Sequence, residues 1–148
     1  MLIRSAEQSD RDAVLELMLY LNPDDPEITK TVSERIFTEI LNSGCFKIYV
    51  AEKNSSVVGS CYINTIPNLT RNAAPYAVIE NVITHPDHRR QGVGNALISH
   101  ALKSAKTEGC YKVMLLTGGD LNVQKFYKAS GMQDGLKTAF IKRWETEQ

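Results

Sequence analysis

HPDHRRQGVGNALISH, residues 85–100, is the stretch of sequence that decides the fold. Arg89 and Arg90 stand directly before Gly92 and Gly94, and apolar residues at helical spacing follow at once. The first turn of a helix exposes amide groups at the positive end of the helix dipole, and glycines let an anion approach the backbone closely. The stretch therefore predicts a phosphate-binding turn at the start of a helix.

Three interpretations of this turn compete on spacing alone. A P-loop would require Gly-Lys-Ser/Thr, which does not follow. A dinucleotide-binding turn would need a third glycine where Leu97 stands, and a tighter turn after the strand. The third interpretation is a plain helix start with two glycines and two solvated arginines, and the local pattern leaves it open.

Hydrophobic periodicity around this stretch predicts an α/β fold with a mixed sheet. The strand at 111–116 is nearly all apolar, as a strand buried on both faces would be, and Gly118 and Gly119 are predicted to turn the chain into the next helix. The order β-α-α-β-β-β-α-β-α-β differs from a regular doubly wound fold. The predicted elements are a strand at 2–5, helices at 9–21 and 28–42, strands at 46–53, 57–66 and 76–84, a helix at 92–108, a strand at 111–116, a helix at 121–130 and a last strand at 137–144.

Length and composition limit the classes of protein. The 148 residues suit a single domain over 1–148, and the balance of 17 basic and 17 acidic residues argues against a nucleic-acid partner. No apolar run approaches a membrane span, and the N-terminus lacks the apolar core of a signal peptide. The three cysteines, without metal-ligand spacing, are expected to be reduced thiols of a cytoplasmic protein.

From Val78 onward the chain resembles the GCN5-related N-acetyltransferase (GNAT) superfamily. The signature Arg/Gln-x-x-Gly-x-Gly/Ala of that family corresponds to RRQGVG at 89–94, which follows a strand and a His-Pro turn. NVQKFYKASGM at 122–132 is similar to the Asn- and Phe-Tyr-containing segment of the family, and residues 3–17 are similar to its first strand and helix. The resemblance implies the GNAT acyl-CoA N-acyltransferase fold.

Within the superfamily, the cofactor half looks most like the glucosamine 6-phosphate N-acetyltransferase branch. The resemblance lies in VIENV at 78–82, in GCYKVMLLT at 109–117 and in the motif at 122–132. The branch has an acidic residue after the strand glutamate, and here that position is Asn81. The acceptor is therefore not fixed by the branch.

The resemblance implies that acetyl-coenzyme A is the donor and that a primary amine of a small molecule is the acceptor, which attacks directly in a ternary complex. The anion of the glycine turn is then the pyrophosphate of the coenzyme. No metal is implied. The implied cofactor-binding residues are Val82, Ile83, Arg89, Arg90, Gln91, Gly92, Val93, Gly94, Asn95, Asn122 and Tyr127.

The resemblance also implies three catalytic groups. A backbone amide of the strand over Asn81–Ile83, with Val82 as the best single choice, would donate to the thioester carbonyl, because the family strand bulges there. Tyr127 would protonate the departing thiolate, although an unperturbed phenol has a pKa of about 10 and a thiol one of about 8.5. Glu80 would act as the base, because an apolar strand could desolvate it.

Plainer roles stay open for the same residues. Tyr127 also fits a core aromatic on an amphipathic helix, and Asn122, which the resemblance assigns to the pantetheine arm, also fits a helix N-cap. Glu80 also fits an outward-facing edge residue. A metal cluster of His85, Asp87 and His88 is not expected, because turn residues without a fourth ligand fit these side chains better.

Two other functions are compatible with the same motifs. One is acetylation of a protein lysine or N-terminus, and the other is a coenzyme A-binding sensor without catalysis, since a fold does not fix a function. The acceptor region has no specific motif, and the oligomeric state cannot be deduced from the sequence. Because relatives in the family are often dimers, the resemblance leaves a homodimer open.

Overall fold

The computed structural model describes residues 1–118 and 120–144. One compact unit covers Met1–Leu115, and a second unit begins at Leu116. The strands are β1 (Leu2–Ser5), β2 (Phe46–Lys53), β3 (Ser56–Ile66), β4 (Tyr76–Thr84) and β5 (Val113–Leu115), and the helices are α1 (Arg11–Leu21), α2 (Lys30–Leu41), α3 (Val93–Thr107) and α4 (Leu121–Ala129). Short 3-10 turns at Gln8–Asp10 and Pro86–His88 precede α1 and α3.

The sheet has the strand order β1-β2-β3-β4-β5 in the described part of the chain. Neighbouring strands are antiparallel except for β4 and β5, which run parallel and are connected through α3. The predicted α/β class with a mixed sheet is therefore confirmed. No helix of the described residues is long and apolar enough to cross a membrane.

Helices cover the two faces of the sheet. Ile48 and Val50 of β2 pack in a cluster with residues of α1 and α2, whereas the Tyr49 hydroxyl donates to Ser104 of α3. This alternation follows from the period of two along a strand. We call the two sides the α1–α2 face and the α3 face. Tyr62 of β3 packs against the cluster of the α1–α2 face.

The prediction of a last strand at 137–144 is wrong. These residues form no strand, and Phe140, Ile141 and Trp144 have exposed fractions of 93%, 66% and 79%. A strand exists only through hydrogen bonds to a neighbour, and alternating apolar residues do not supply that neighbour. The predicted order of elements therefore holds only as far as α4 within the described residues. Of the two glycines predicted to turn into α4, Gly119 lies outside the described residues.

The strand predicted at 111–116 is shorter and less buried than expected. β5 has three residues, all of them half-buried, so the apolar run does not mark a strand covered on both faces. Most other boundaries agree within two residues, and β4 agrees at both ends. Gly109 follows α3 with a φ of +79°, and a left-handed glycine of this kind commonly ends a helix.

Gly59 of β3 lets α3 lie close to the sheet. A Cβ atom built on Gly59 would lie 2.8 Å from Val93 Cγ1, 3.0 Å from the Ile83 carbonyl oxygen and 3.1 Å from Leu97 Cδ1. The missing side chain therefore fixes the distance between the sheet and the first turns of α3.

Gly59→Ala is expected to destabilise the protein by about 2 kcal/mol, because overpacking a rigid core costs that much and the carbonyl cannot move alone. Chemical denaturation measures the loss. Gly44→Ala is the matched control, since a Cβ there meets nothing within 4 Å. Equal stability of the two variants would contradict the close approach.

A buried carboxylate holds the start of α1 against the sheet edge. The Asp10 side chain accepts hydrogen bonds from Arg4 at 2.6 and 2.9 Å and from the amide of Glu7 at 2.7 Å. The hydrogen bonds from Arg4 lower the pKa of Asp10 below its usual value, although its burial opposes them. Arg4 also bonds Glu52 of β2 at 2.8 Å, so one guanidinium joins β1, β2 and the turn before α1.

Asp10→Asn is expected to lower the free energy of unfolding by about 2 kcal/mol at neutral pH, because it removes a charged partner from a mostly buried pair. The folded pKa of Asp10 is depressed, so its contribution is complete above the unfolded pKa of about 4. The contribution is lost as the pH falls through the lower folded value. Denaturation curves across this range should converge at acid pH; a constant difference would contradict the linkage.

Candidate functional site

β4 contains a bulge at Asn81 and Val82. Glu80 pairs with Tyr62 of β3 and Ile83 pairs with Ser60, so two residues of β4 lie opposite Cys61 alone. Asn81 has a φ of +51°. One extra residue on one strand defines a β-bulge, a left-handed residue is one of the conformations that bulges contain, and bulges occur often beside active sites. The bulge that the resemblance implied is therefore present in the strand.

The bulge changes which side chains face which helices. Directly paired residues of neighbouring strands share a face, so Glu80 lies with Tyr62 on the α1–α2 face. Beyond the bulge, Ile83 lies with Ser60 on that same face. Even-numbered residues therefore occupy the α1–α2 face before the bulge and odd-numbered residues occupy it after. Without the bulge, Ile83 would face α3.

One edge of β4 opens at the bulge. The pairing of β4 with β5 runs from Ala77–Val113 to Ile79–Leu115 and ends there. Glu80, Ile83 and Thr84 keep their pairing with β3, but residues 80–84 have no partner strand on the other side within the described residues. Backbone groups that point to this side can bind a ligand. We call this side of residues 80–84 the open edge.

Cys61, opposite the bulge, is fully buried. Burial raises the pKa of its thiol to about 12, so the thiol stays protonated at neutral pH. A thiolate, not a thiol, is the nucleophile of cysteine chemistry. Cys61, opposite the bulge, is therefore a poor nucleophile at neutral pH.

The turn that follows β4 is fixed at several points. The His85 amide donates to the carbonyl of Val58 at 2.9 Å, and Arg89 Nε donates to the carbonyl of Thr84 at 3.3 Å. The Gln91 side chain donates to the Asp87 carbonyl at 2.9 Å. These bonds hold the turn against the end of β4. Its backbone is therefore ordered before any ligand arrives.

Gly92 begins α3 with a left-handed backbone. Its φ is +82°, and a Cβ atom built on it would meet nothing within 4 Å. The first hydrogen bond of the helix runs from the Ala96 amide to the Gly92 carbonyl at 3.0 Å, so the amides of Val93 and Gly94 precede the helical ladder. Open space, glycine and a helix N-terminus are the components of an anion site, and phosphate binding at this turn stays a prediction.

Positive charge surrounds this turn. Arg89 and Arg90 are exposed, and neither forms an ion pair with another described residue. Lys53 Nζ, from the end of β2, bonds Gln91 Oε1 at 2.9 Å and brings a third cation beside the turn. The first turn of α3 contains no acidic residue. The charges therefore favour an anion at the positive end of the helix dipole.

A polar network holds the other end of α3 on the sheet. Glu108 accepts from Lys47 at 2.6 Å, from Ser104 at 2.8 Å and from Thr65 at 2.9 Å. Burial would raise the pKa of Glu108, but these hydrogen bonds together lower it below its usual value. The hydrogen bond to Glu108 likewise raises the pKa of Lys47. Anchoring at this end fixes the axis of α3 and therefore the direction of its N-terminal amides.

The match to a family model decides the identity. Residues 14–132 match the acetyltransferase (GNAT) family, and this range includes the bulged strand, the glycine turn and the segment around Tyr127. The chain belongs to the GNAT family of acetyltransferases. Members of this family use acetyl-coenzyme A as the donor, so the chain is an acetyl-CoA-dependent N-acetyltransferase.

Relatives of this GNAT chain agree over most of its length. Glucosamine 6-phosphate N-acetyltransferase of Trypanosoma brucei brucei is 30% identical over 117 residues, which cover 76% of this chain and 77% of that protein. A protein from Agrobacterium tumefaciens str. C58 that is named as an acetyltransferase is 40% identical, with a TM-score of 0.93 over 97% of this chain and 100% of that one. Glucosamine-6-phosphate N-acetyltransferase of Arabidopsis thaliana is 25% identical, with a TM-score of 0.86 over 98% of each chain.

Glu80 of the GNAT strand is exposed. The chain itself therefore does not desolvate this carboxylate, contrary to the expectation that the apolar strand would. Glu80 lies beside Tyr62, and burial raises the pKa of that phenol. Ser60, on the same face, is fully buried and its hydroxyl has no hydrogen-bond partner within the described residues. The α1–α2 face thus carries several polar groups near the bulge.

Tyr127 and Asn122 lie on α4, in the second unit. Tyr127 is half-buried, and its ring contacts Phe126 edge to face with centroids 4.8 Å apart. Asp120 is the N-cap of α4 and accepts from the Asn122 amide at 2.6 Å. The alternative that Asn122 caps the helix is therefore wrong, because the cap lies two residues earlier. The coenzyme contacts of both residues stay predictions.

The His85, Asp87 and His88 segment has a structural role. His85 packs edge to face on Tyr20 of α1 with centroids 5.0 Å apart, and its Nδ1 accepts from the Asp87 amide at 3.3 Å. Within residues 1–118 and 120–144, no three potential metal-ligating side chains converge. The segment therefore joins α1 to the glycine turn.

Several residues of the site carry no sequence signal. Lys53 lies 38 residues before Gln91 along the chain and meets it only in the fold. Ser60 and Tyr62 lie on the face that the bulge turns toward Ile83, so their position depends on the register of β3 and β4. Asn81 is different. An asparagine inside an apolar strand is a signal for a left-handed residue, because asparagine tolerates positive φ better than most residues.

Proposed function

We propose that this GNAT enzyme moves an acetyl group from acetyl-CoA to the primary amine of a small molecule, with residues 1–148 acting as one catalytic domain. The amine nitrogen attacks the thioester carbonyl, the carbon–sulfur bond breaks, and the thiolate takes up a proton. Direct attack in a ternary complex is favoured, because the buried thiol of Cys61, opposite the bulge, stays protonated and is a poor nucleophile. The family match, which spans both units, supports one working domain.

The observation that carries the proposal is the conjunction of two features at one end of β4. The edge opens after Ile79 and the bulge follows at once, and the glycine turn begins directly after Thr84. Donors for a carbonyl and donors for a phosphate thus lie on one short segment. Acetyl-CoA has a thioester carbonyl at one end of a flexible arm and a pyrophosphate at the other. It therefore needs carbonyl donors and phosphate donors at separate places along one segment.

The glycine turn is proposed to hold the pyrophosphate. Its amides from Arg90 to Asn95 would donate to the phosphate oxygens, with the guanidinium groups of Arg89 and Arg90 close by. The open space at Gly92 and the lack of acidic residues in the first turn of α3 fit such an anion. The Gln91 side chain is occupied by Lys53 and Asp87, so only its backbone would take part.

The Val82 amide is proposed to stabilise the oxyanion that forms at the thioester carbonyl, with Ile83 beside the acetyl group. A donor of this kind contributes about 100- to 1,000-fold in kcat in other enzymes. Its strength depends on a fixed direction, and the pairing of β4 with β3 on both sides of the bulge fixes it.

Proton transfers are proposed for two side chains. Glu80 would take the proton from the ammonium acceptor through water, since its exposed carboxylate lies on the α1–α2 face beside the bulge. Tyr127 would give a proton to the departing thiolate, and Asn122 would bind the pantetheine arm, as the family motif at 122–132 implies. Glu80 would thus remove a proton from the acceptor amine, and Tyr127 would deliver one to the sulfur of the departing coenzyme.

An amine screen tests the proposal. Purified protein is mixed with acetyl-CoA and a panel of amines, and thiol release is followed. The panel begins with glucosamine 6-phosphate, because two relatives carry that name, and includes other amino sugars, aminoglycosides, polyamines and lysine peptides. Small-molecule turnover with intersecting initial-velocity lines is expected. Turnover of peptides alone, or acetyl-CoA binding without any turnover, would replace the proposal by one of its alternatives.

A further inference from the structure

We propose that Lys53 binds the ribose 3′-phosphate of acetyl-CoA and thereby makes the enzyme select coenzyme A over its 3′-dephospho form. Lys53 is the last residue of β2, far along the chain from the glycine turn. This inference rests on the proposed function, because it names a further contact of the same coenzyme. It adds a side chain from the β2–β3 hairpin to a turn whose other proposed contacts come from residues 89–95.

The odd-numbered residues of β2 follow α3 from its last turn to its first. Lys47 donates to Glu108, at the C-terminal end of α3, at 2.6 Å. The hydroxyl of Tyr49 donates to α3 at 2.6 Å. Lys53 Nζ donates to the Gln91 side chain, just before the first turn of α3, at 2.9 Å. β2 therefore runs antiparallel to α3 on the α3 face of the sheet and places Lys53 beside the N-terminus of the helix.

A tight hairpin fixes Lys53 at this position. Lys53 pairs with Ser56, so only Asn54 and Ser55 connect β2 to β3. Both connecting residues have positive φ, +51° and +63°, as in the two-residue turns whose twist matches that of the flanking strands. The register shift between the two strands adds its extra residue to β3, so the alternation of β2 stays unbroken. The ammonium group is therefore held near the glycine turn before the coenzyme arrives.

The ammonium group of Lys53 forms no ion pair with another described residue. Lys53 is half-buried, and it bonds the neutral amide oxygen of Gln91. The carboxylate of Glu52 bonds Arg4 at 2.8 Å instead, and the side chain of Asp87 is 85% exposed. An ammonium group has three donors, so it can bind a phosphate while it keeps its bond to the amide. The position thus suits an added anion.

The 3′-phosphate is the group of the coenzyme that fits this position. The pyrophosphate is already proposed to bind the amides from Arg90 to Asn95 and two guanidinium groups. Lys53 Nζ lies one glutamine side chain away from the backbone of that turn. A ribose of comparable length separates the 3′-phosphate from the pyrophosphate. A phosphate monoester carries about two negative charges at neutral pH, so a nearby cation stabilises it more than a singly charged phosphate.

Two coenzymes test the proposal. Calorimetry measures the affinity of each variant for acetyl-CoA and for 3′-dephospho-acetyl-CoA. Lys53→Gln is expected to bind acetyl-CoA about 10-fold more weakly than the wild type, which is the loss of a charge-assisted hydrogen bond. It should bind the dephospho form within about twofold of the wild type, since the partner of Lys53 is then missing. Lys53→Arg keeps the charge and should stay within about threefold for both coenzymes.

Lys106→Gln is the matched control, because it removes the same charge from an exposed position in the last turn of α3. It should leave the ratio of the two affinities unchanged. The loss in Lys53→Gln should also shrink as salt is added, since a half-buried pair is partly screened. A thermal unfolding curve close to that of the wild type shows that Lys53→Gln is folded.

Two outcomes would overturn the proposal. An equal loss for both coenzymes in Lys53→Gln would assign Lys53 to the order of the glycine turn or to the pyrophosphate. An unchanged affinity for acetyl-CoA would remove Lys53 from the site. Neither measurement needs an acceptor. A wild type that binds acetyl-CoA and acetylates no amine would therefore contradict the proposed function and leave the 3′-phosphate contact as a separate result.

Discussion

Tyr127→Phe is expected to lower kcat about 100-fold while the KM for acetyl-CoA stays within about twofold, because a positioned acid contributes mainly in the transition state. The change removes one oxygen and keeps the ring that packs on Phe126. Steady-state kinetics with the best amine of the screen measures both constants. A thermal unfolding curve close to that of the wild type shows that the fold is intact.

Tyr111→Phe is the matched control for this substitution. Tyr111 is an exposed tyrosine just before β5, and its ring lies edge to face against the ring of Tyr76. The control should keep kcat. An equal kcat for Tyr127→Phe and wild type would remove Tyr127 from the mechanism and favour the plainer role of a packed aromatic. A large fall in the unfolding temperature of Tyr127→Phe, together with the fall in kcat, would also favour that role.

Gly92→Ala is expected to weaken acetyl-CoA binding at least about 10-fold, which corresponds to about 1.4 kcal/mol. The backbone of Gly92 is left-handed, and alanine either strains it or changes the direction of the amides in the first turn of α3. Losing one charge-assisted hydrogen bond to a phosphate costs about 1.5–3 kcal/mol. Calorimetry with acetyl-CoA, and with CoA for comparison, measures the loss.

Gly109→Ala separates backbone strain from ligand binding. Gly109 follows the other end of α3, has a φ of +79°, and also has no atom within 4 Å of a built Cβ. Both substitutions should destabilise the fold by about 1 kcal/mol, since the left-handed penalty is alike. Only Gly92→Ala should weaken binding. Similar loss of affinity in both variants would assign the effect to α3 as a whole, and no loss in either would contradict the phosphate turn.

The helices and strands of the described residues could be predicted well wherever the spacing of apolar residues along the chain indicates them. The alternation in β2, β3 and β4 and the four-residue spacing of α3 gave elements that agree with the structure, because burial of one face imposes these periods. The prediction of a strand at 137–144 was wrong, and the predicted strand at 111–116 was longer and more buried than β5 is. In both places apolar residues indicated a strand, but a strand depends on a neighbour that the pattern does not name.

The candidate site divides in the same way. Arg89, Gly92 and Gly94 could be found from the sequence, since their chemistry is local to one turn. The bulge could be expected only through the family resemblance. Glu80 was found as a residue but not in its environment, because exposure depends on what covers the strand. Lys53 and Ser60 could not be found, since the fold alone brings them to the site.

The sequence by itself determined the family, the donor and the place of the glycine turn, because each depends on residue types at fixed short spacing. Only the tertiary structure decided the direction of the amides in β4. That direction depends on the hydrogen-bond register of β4 with β3 on both sides of Asn81, and on the end of the β5 pairing at Ile79. A backbone group carries no letter in the sequence, so its orientation follows from the partners that the fold places beside it.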